Sequence, residues 1–243
     1  MNDSAGPEPN VVMEPEDYAG WHASTLGTIT EAIENRLLLG MIGDPKDQNI
    51  LDVGCGEGDL ALSLAKSGAR VCGIDVSPAM IREATDRASR SGNSVDFSVA
   101  EAARLPFPNQ SFDVVLAKTI LCFVRDPEPV FDELARVLRP GGVLVIGELG
   151  KRSLWVARRR IRAWFGSALW RQGYFRTPAQ LKGFAARAGM TVTEVRGAIY
   201  YPHSGLAARV LGALDPWCSR LTTFGAAFLA LKAKKPPATR AVV

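Results

Sequence analysis

Apolar and polar positions follow two rhythms along this chain. Short apolar runs recur at 50–52, 69–75, 94–99, 112–117, 142–148 and 191–199, and between them apolar residues fall three or four apart. The first rhythm predicts strands and the second amphipathic helices. Ile29, Ile33, Leu37 and Met41 keep helical spacing, so 28–42 reads as a helix. A second helix is predicted at about 60–67, and a third opens with Ser77 as N-cap and Pro78 at its first position. Others cover 127–137, ended by Arg139 to Gly142, and the stretch from Thr177 and Pro178 to Gly189. Phe112 to Ala117 is apolar almost throughout, as a central parallel strand should be. A last strand, 224–232, is expected to return antiparallel, and if 191–199 is parallel it carries Tyr200, Tyr201 and His203 to the carboxyl edge of the sheet. Regular strand–helix alternation predicts an α/β fold, a doubly wound, mainly parallel seven-stranded sheet with helices on both faces.

The stretch Ile50–Asp59 organises this pattern. A strand ends in Asp52, turns on Gly54, Gly56 and Gly58, and opens into a helix. A side chain at these glycines is expected either to stand between the backbone and a ligand or to forbid a positive φ. The spacing is Gly-x-Gly-x-Gly, not the Gly-x-Gly-x-x-Gly of a dinucleotide site, and Asp52, Glu57 and Asp59 surround it. Three carboxylates disfavour a diphosphate and suit a ligand whose near end carries an ammonium and a sulfonium. Asp75, at the tip of the next strand, is placed to accept both hydroxyls of an unphosphorylated ribose.

Leu51–Gly58 and Gly73–Ser77, followed by Ala100–Pro108, Ser111–Val115 and Leu138–Leu144, resemble the ordered motifs of class I S-adenosylmethionine-dependent methyltransferases, of the small-molecule, methyltransferase type 11-like kind. The resemblance covers about 49–150 and implies a Rossmann-like fold with S-adenosylmethionine as cofactor. It further implies cofactor contacts at Tyr18, Asp52, Gly54, Cys55, Gly56, Gly58, Asp75, Val76, Met80, Glu101, Ala102 and Lys118. In the family, the position of Met80 packs on the adenine; a plain core methionine is the alternative. The family's usual Asp at 101, here Glu101, accepts from the adenine amine, while Ala100 replaces a more common Gly. Lys118 is expected to offer its backbone carbonyl to the cofactor's ammonium. A segment with Tyr18, Trp21 and Thr25 resembles a lid over the methionine end, or else staples the first helix to the core. Methyltransferases of quinone biosynthesis belong to this broad type, but their substrate-region signatures are not evident in this sequence.

Composition narrows the classes. With 243 residues, 47% hydrophobic and 22% charged, the chain has material for one sizeable domain, expected over 18–233. Residues 1–17 are expected to form a mobile arm and 234–243 a basic tail. Against 25 acids stand 29 basic residues, and a net charge of +4 does not indicate a nucleic-acid partner. The N-terminus lacks the basic and apolar regions of a secretory signal, and no apolar run is long enough to span a bilayer, so a cytoplasmic protein is expected. Cys55, Cys72, Cys122 and Cys218 contain no Cys-x-x-Cys pair and read as reduced thiols. No metal site is predicted.

Residues 151–171 break the pattern with a basic, tryptophan-rich helix, expected within a helical insertion over 151–175. On a helical wheel Leu154, Ala157, Ile161, Trp164, Phe165 and Ala168 share one side, and Arg159, Arg160 and Arg162 lie off it. Three readings stand: a lid with a solvated basic face, a peripheral membrane contact with Trp and Phe at the interface, and a nucleic-acid contact, disfavoured because no recognition module accompanies the arginines.

Methyl transfer from a sulfonium needs in-line positioning more than side-chain chemistry. A base is required only for an alcohol, phenol or protonated amine, and histidine suits that task near neutral pH. His203, at the carboxyl end of a strand, and His22, in the presumed lid, are the two histidines, with ordinary hydrogen-bonding roles as the alternative. Glu148, at the tip of the fifth strand, is the other candidate base. The sequence thus points to a methyltransferase for a small-molecule or lipid-like acceptor. The alternatives are a non-catalytic S-adenosylmethionine-binding subunit and an NAD-dependent oxidoreductase, for which neither the glycine spacing nor a nicotinamide site is visible.

Overall fold

The computed structural model describes residues 20–164 and 173–237. The expected arm at 1–17 and Tyr18 lie outside them, as do Phe165 and Ala168 of the insertion and most of the tail. In chain order the elements are α1 (Thr25–Ile42), β1 (Asn49–Val53), α2 (Asp59–Lys66), β2 (Arg70–Asp75), α3 (Pro78–Ser91), β3 (Asp96–Val99) and β4 (Phe112–Lys118). After a 3-10 turn at Leu121–Phe123 come α4 (Glu128–Val137), β5 (Leu138–Leu149), α5 (Leu154–Trp164), α6 (Pro178–Arg187), β6 (Thr191–Ala198), α7 (Gly205–Leu211), α8 (Asp215–Leu221) and β7 (Phe228–Lys234).

Local chemistry sets most of the boundaries. Ser24 accepts a bond from the Gly27 amide at 2.9 Å, so α1 begins at Thr25, three residues before the expected start at 28. Ser77 caps α3 through the Met80 amide, with Pro78 behind it, and Thr177 and Gln180 form a reciprocal capping box on α6. Two strand starts differ from expectation. β5 begins at Leu138, not at Gly142, because Leu138 already pairs with Phe112; an irregularity between Phe112 and Val114, beside Gly141 at φ +82°, absorbs the Pro-Gly-Gly segment. β7 begins at Phe228, and Phe224 is 73% exposed before it.

The sheet order is β3-β2-β1-β4-β5-β7-β6. The first five strands in this order run parallel, and β7 is antiparallel to both β5 and β6. β6 therefore points the same way as β5, as expected. The chain reverses its winding between β1 and β4, where open α/β sheets bind ligands at the carboxyl edge. One face buries Val130, Phe131 and Leu134 of α4 and Leu181 and Ala185 of α6; the other buries Leu38 and Met41 of α1, Leu60 and Leu64 of α2, and Phe228. Each such side chain contributes about 1.5–3 kcal/mol.

Two expectations fail here. Tyr200 and Tyr201 do not reach the ligand edge: the Tyr201 hydroxyl is buried at 3.0 Å from Thr30 Oγ1, and the Tyr200 hydroxyl bonds the Thr222 carbonyl. Helix α5 is turned the other way round. Of its expected apolar stripe, Leu154 is 71%, Ile161 55% and Trp164 87% exposed, while Trp155 and Val156 are buried and Arg158, Arg159 and Arg162 face a cavity. The cause is local: Trp155 Nε1 donates to the Tyr201 carbonyl at 2.7 Å, and Ser153 accepts from the Val156 amide, fixing the rotation of the first turn. The excursion that carries α5 leaves and rejoins the sheet at one place, where the Lys151 amide bonds the Arg176 carbonyl at 2.9 Å and Gly150 bridges Arg176.

Candidate active site

A cavity of about 500 Å³ opens at the carboxyl ends of β1, β2 and β4. Its floor is the glycine turn. The amides of Gly54 and Cys55 both donate to the Ile74 carbonyl, at 2.7 and 2.9 Å, which pins the turn to β2. All three glycines have positive φ, at +70°, +54° and +85°, but only one faces open space. A Cβ on Gly54 would lie 2.1 Å from Cγ2 of Ile120, and one on Gly58 would press on Phe97 and Ala84. Gly56 has no atom within 4 Å of where its Cβ would stand, so there the main chain lies bare to a ligand. Gly58 is outside the cavity wall and serves helix packing at the start of α2.

Asp75 joins turn to strand. Its Oδ2 accepts the Gly56 amide at 3.0 Å and its Oδ1 the Ser77 amide at 2.9 Å. Asp52 is 2% exposed; burial, foremost, pushes its carboxyl up to about 7, Lys118 opposing and Asp75 adding to the shift. Its Oδ2 is a buried acceptor without a hydrogen-bond partner at the cavity wall. The other two acids of the turn are occupied otherwise than the sequence implied: Arg87 of α3 binds Glu57, and Asp59 at 2.8 Å. Asp52 is thus the acid left to a cationic ligand.

Val76, Met80, Glu101 and Ala102 form one wall. Met80 is 2% exposed and yet borders the cavity, so the core and contact readings are compatible. Lys118 also lines it, with its ammonium turned onto α1, 3.1 Å from Glu34 and 2.9 Å from Asn35 Oδ1. Glu31, Glu34 and Asn35 line the cavity and are not marked by any motif; their spacing of three and four along α1 is the signal that could have found them.

Trp21, His203 and Arg158, Arg159 and Arg162 of α5 also line the cavity, as does His22, whose ring nitrogen lies within 4.8 Å of the Glu57 and Asp59 carboxylates. His203 lies 4.7 Å from the Trp155 ring and 6.2 Å from that of Trp21. Burial foremost, and then Arg158, Arg159 and Arg162, lower its pKa, so its ring is neutral at neutral pH. His22 Nδ1 sits 3.0 Å from Glu31. Cys122 is buried, its thiol pushed well up by burial, which leaves it inert as a nucleophile.

Glu148 does not have the position of a base. It is fully buried behind the wall, packed against the Leu121–Phe123 turn, and accepts the Leu149 amide at 3.3 Å, while its Oε2 has no hydrogen-bond partner among the described residues. Burial pushes its carboxyl up to about 8, so it is held protonated as a brace for the 3-10 turn. The apolar run of β5 gave no hint that this turn folds over its tip.

The family described as "Methyltransferase domain" matches residues 51–146. The ubiquinone biosynthesis O-methyltransferase of Xanthomonas axonopodis pv. citri is 32% identical over 165 residues, covering 65% of this chain and 69% of that protein. The chain belongs to the class I S-adenosylmethionine-dependent methyltransferases. Its cofactor is S-adenosylmethionine. The 27-O-demethylrifamycin SV methyltransferase of Amycolatopsis mediterranei is 38% identical over 129 residues, which is 52% of this chain and 47% of that protein. Among solved structures, the cyclase SpnF superposes with a TM-score of 0.64 at 26% identity, over 84% of this chain and 80% of that one. The residues present fit such a cofactor: a partnerless buried carboxylate oxygen at Asp52 suits a cation, and the bare side of Gly56 admits a ligand against the main chain.

Proposed function

We propose that this methyltransferase acts on a small-molecule acceptor bound between the glycine turn and α5, with 18–233 as one catalytic domain and 151–175 as its acceptor-side insertion. The observation that carries the reading is one cavity lined from Gly56 and Asp75 to His203, so that both reactants would share one half-open cleft. In this reading Asp52, Gly54, Cys55, Gly56 and the Lys118 carbonyl hold the methionine end of the cofactor, Asp75 the ribose, and Val76, Met80, Glu101 and Ala102 the adenine. Gly58 shapes the turn from behind, and Tyr18, outside the described residues, is assigned to the same end by resemblance alone.

The cofactor supplies a methyl group on a cationic sulfur whose departure needs no proton. What remains for the chain is to hold the acceptor in line, which lowers the barrier by up to about 7–11 kcal/mol, and to take up a proton where the acceptor atom carries one. His203 is neutral and borders the cavity, so it is assigned that role. Its pKa is lowered, so the neutral base persists to a lower pH than an ordinary histidine, and the acid limb of the rate profile is expected below 6.5. His203→Ala should reduce kcat on a hydroxyl or amine acceptor by about 10²–10⁴-fold and remove that limb; an unchanged profile takes His203 out of the mechanism.

The outward stripe of Leu154, Ile161 and Trp164, flanked by the exposed Lys151, Arg152 and Arg160, supports a lipid-like acceptor or a peripheral membrane contact as the second reading. Incubation with methyl-labelled S-adenosylmethionine and cell extract tests both. Label is expected in the aqueous fraction, label in the lipid fraction favours the second reading, and no label in either defeats the proposed function.

A further inference from the structure

The orientation of α5 bears on the acceptor. Among its exposed and half-buried arginines, Arg158, Arg159 and Arg162 share one side of the helix and line the cavity, whereas Arg160 does not. An amphipathic helix ordinarily turns its apolar stripe inward. This one leaves Leu154, Ile161 and Trp164 to solvent and sets guanidinium groups along a ligand cavity.

Glu34 acts on Arg159 through its charge, but the acids of the cavity do not account for Arg158 and Arg162. Glu34 is bridged to Lys118 at 3.1 Å, Glu31 to His22 at 3.0 Å, and Glu57 and Asp59 to Arg87. Among the described residues neither Arg158 nor Arg162 forms an ion pair. Arg159 lies 5.7 Å over the Trp155 ring, whose centroid is 4.7 Å from that of His203. The cavity is therefore polarised, with the unpaired Oδ2 of Asp52 at the glycine turn and three guanidinium groups along α5. The acid end suits the sulfonium and ammonium of the cofactor. Guanidinium forks match the paired oxygens of a carboxylate or a phosphate.

We propose that the methyl acceptor is an anion whose carboxylate or phosphate group docks against Arg158, Arg159 and Arg162, with its reacting end turned toward the glycine turn. This rests on the proposed acceptor cavity and narrows it to a chemical class. The arginine side sets which acceptors bind, and His203, beside it, meets the acceptor next to its charged group.

The test uses the full chain saturated with S-adenosylhomocysteine and titrated calorimetrically with benzoate, phenyl phosphate and, as the uncharged counterpart, benzamide. At least one anion should bind tenfold or more tightly than benzamide. Arg158→Gln combined with Arg162→Gln, two exposed positions, should erase that preference while S-adenosylmethionine affinity stays within twofold; Arg160→Gln, on the other side of the helix, should keep it. Benzamide binding as well as both anions, no binding by any of the three, or a preference that survives in the double variant overturns the inference. A large loss of S-adenosylmethionine affinity in the double variant would assign the arginines to the cofactor's own carboxylate and overturns it too. Failure of the wild-type chain to bind S-adenosylhomocysteine is a separate readout, and it strikes the methyltransferase reading itself.

Discussion

Gly56→Ala is expected to weaken S-adenosylmethionine binding by at least a hundredfold while leaving the protein folded. The residue sits at φ +54° with open space where a Cβ would stand, so the added methyl meets no protein atom. The fold loses only the left-handed backbone penalty, about 1–2 kcal/mol. The methyl does enter the one place where a ligand lies against bare main chain. Gly54→Ala makes the contrast, because its Cβ would stand 2.1 Å from Cγ2 of Ile120. It should destabilise the fold by the backbone penalty plus about 1–3 kcal/mol of overpacking, and Ile120→Ala in the same chain should return the overpacking part. Calorimetric binding and thermal unfolding of the three variants check this. Comparable affinity losses at Gly54 and Gly56, with equal stability, would refute the division of labour in the turn.

S-adenosylmethionine affinity is expected to rise about tenfold per pH unit up to about pH 7 and then level off. Asp52 is responsible. Its folded-state pKa is raised from 3.8 to about 7, so between those values the folded chain holds a proton that the unfolded chain has released. Stability from this group is therefore lost as pH rises through that window, the reverse of a salt-bridged carboxylate. A cation bound beside Asp52 Oδ2 favours the ionised form and expels the proton. Titrations at pH 6 in two buffers of different ionisation enthalpy should show close to one proton released per site, and Asp52→Asn should abolish the release and flatten the profile. Binding without proton release at pH 6 would remove Asp52 from the cation's side.

What the sequence disclosed was the chemistry fixed by neighbours along the chain. The glycine turn, Asp75, the Ser77 cap and Pro78 are local devices, and the structure has each where its motif lies. Strand direction was legible for the same reason, since alternation of strand and helix constrains it. The misreadings all concern side chains whose partner is remote in sequence. Glu57 and Asp59 answer to Arg87, 30 and 28 residues on. Glu148 is covered by the turn at Leu121–Phe123, 25 or more residues earlier. The wheel of α5 misled because it presumes that the side facing the protein is dry, and here that side borders a polar cavity.

The piece from Lys151 to Phe175 departs and returns through one junction, the bond between the Lys151 amide and the Arg176 carbonyl. A replacement of different length has to match that junction and the two anchors inside it, the Trp155 bond to the Tyr201 carbonyl and the Tyr174 amide bond to the Cys122 carbonyl, while loop closure between them costs little extra as length grows. The strands that carry Gly56 and Asp75 lie elsewhere in the sheet. In the proposed reading, an acceptor-side insertion set apart from the turn that seats the methyl donor would let substrate range diverge while that seat is kept.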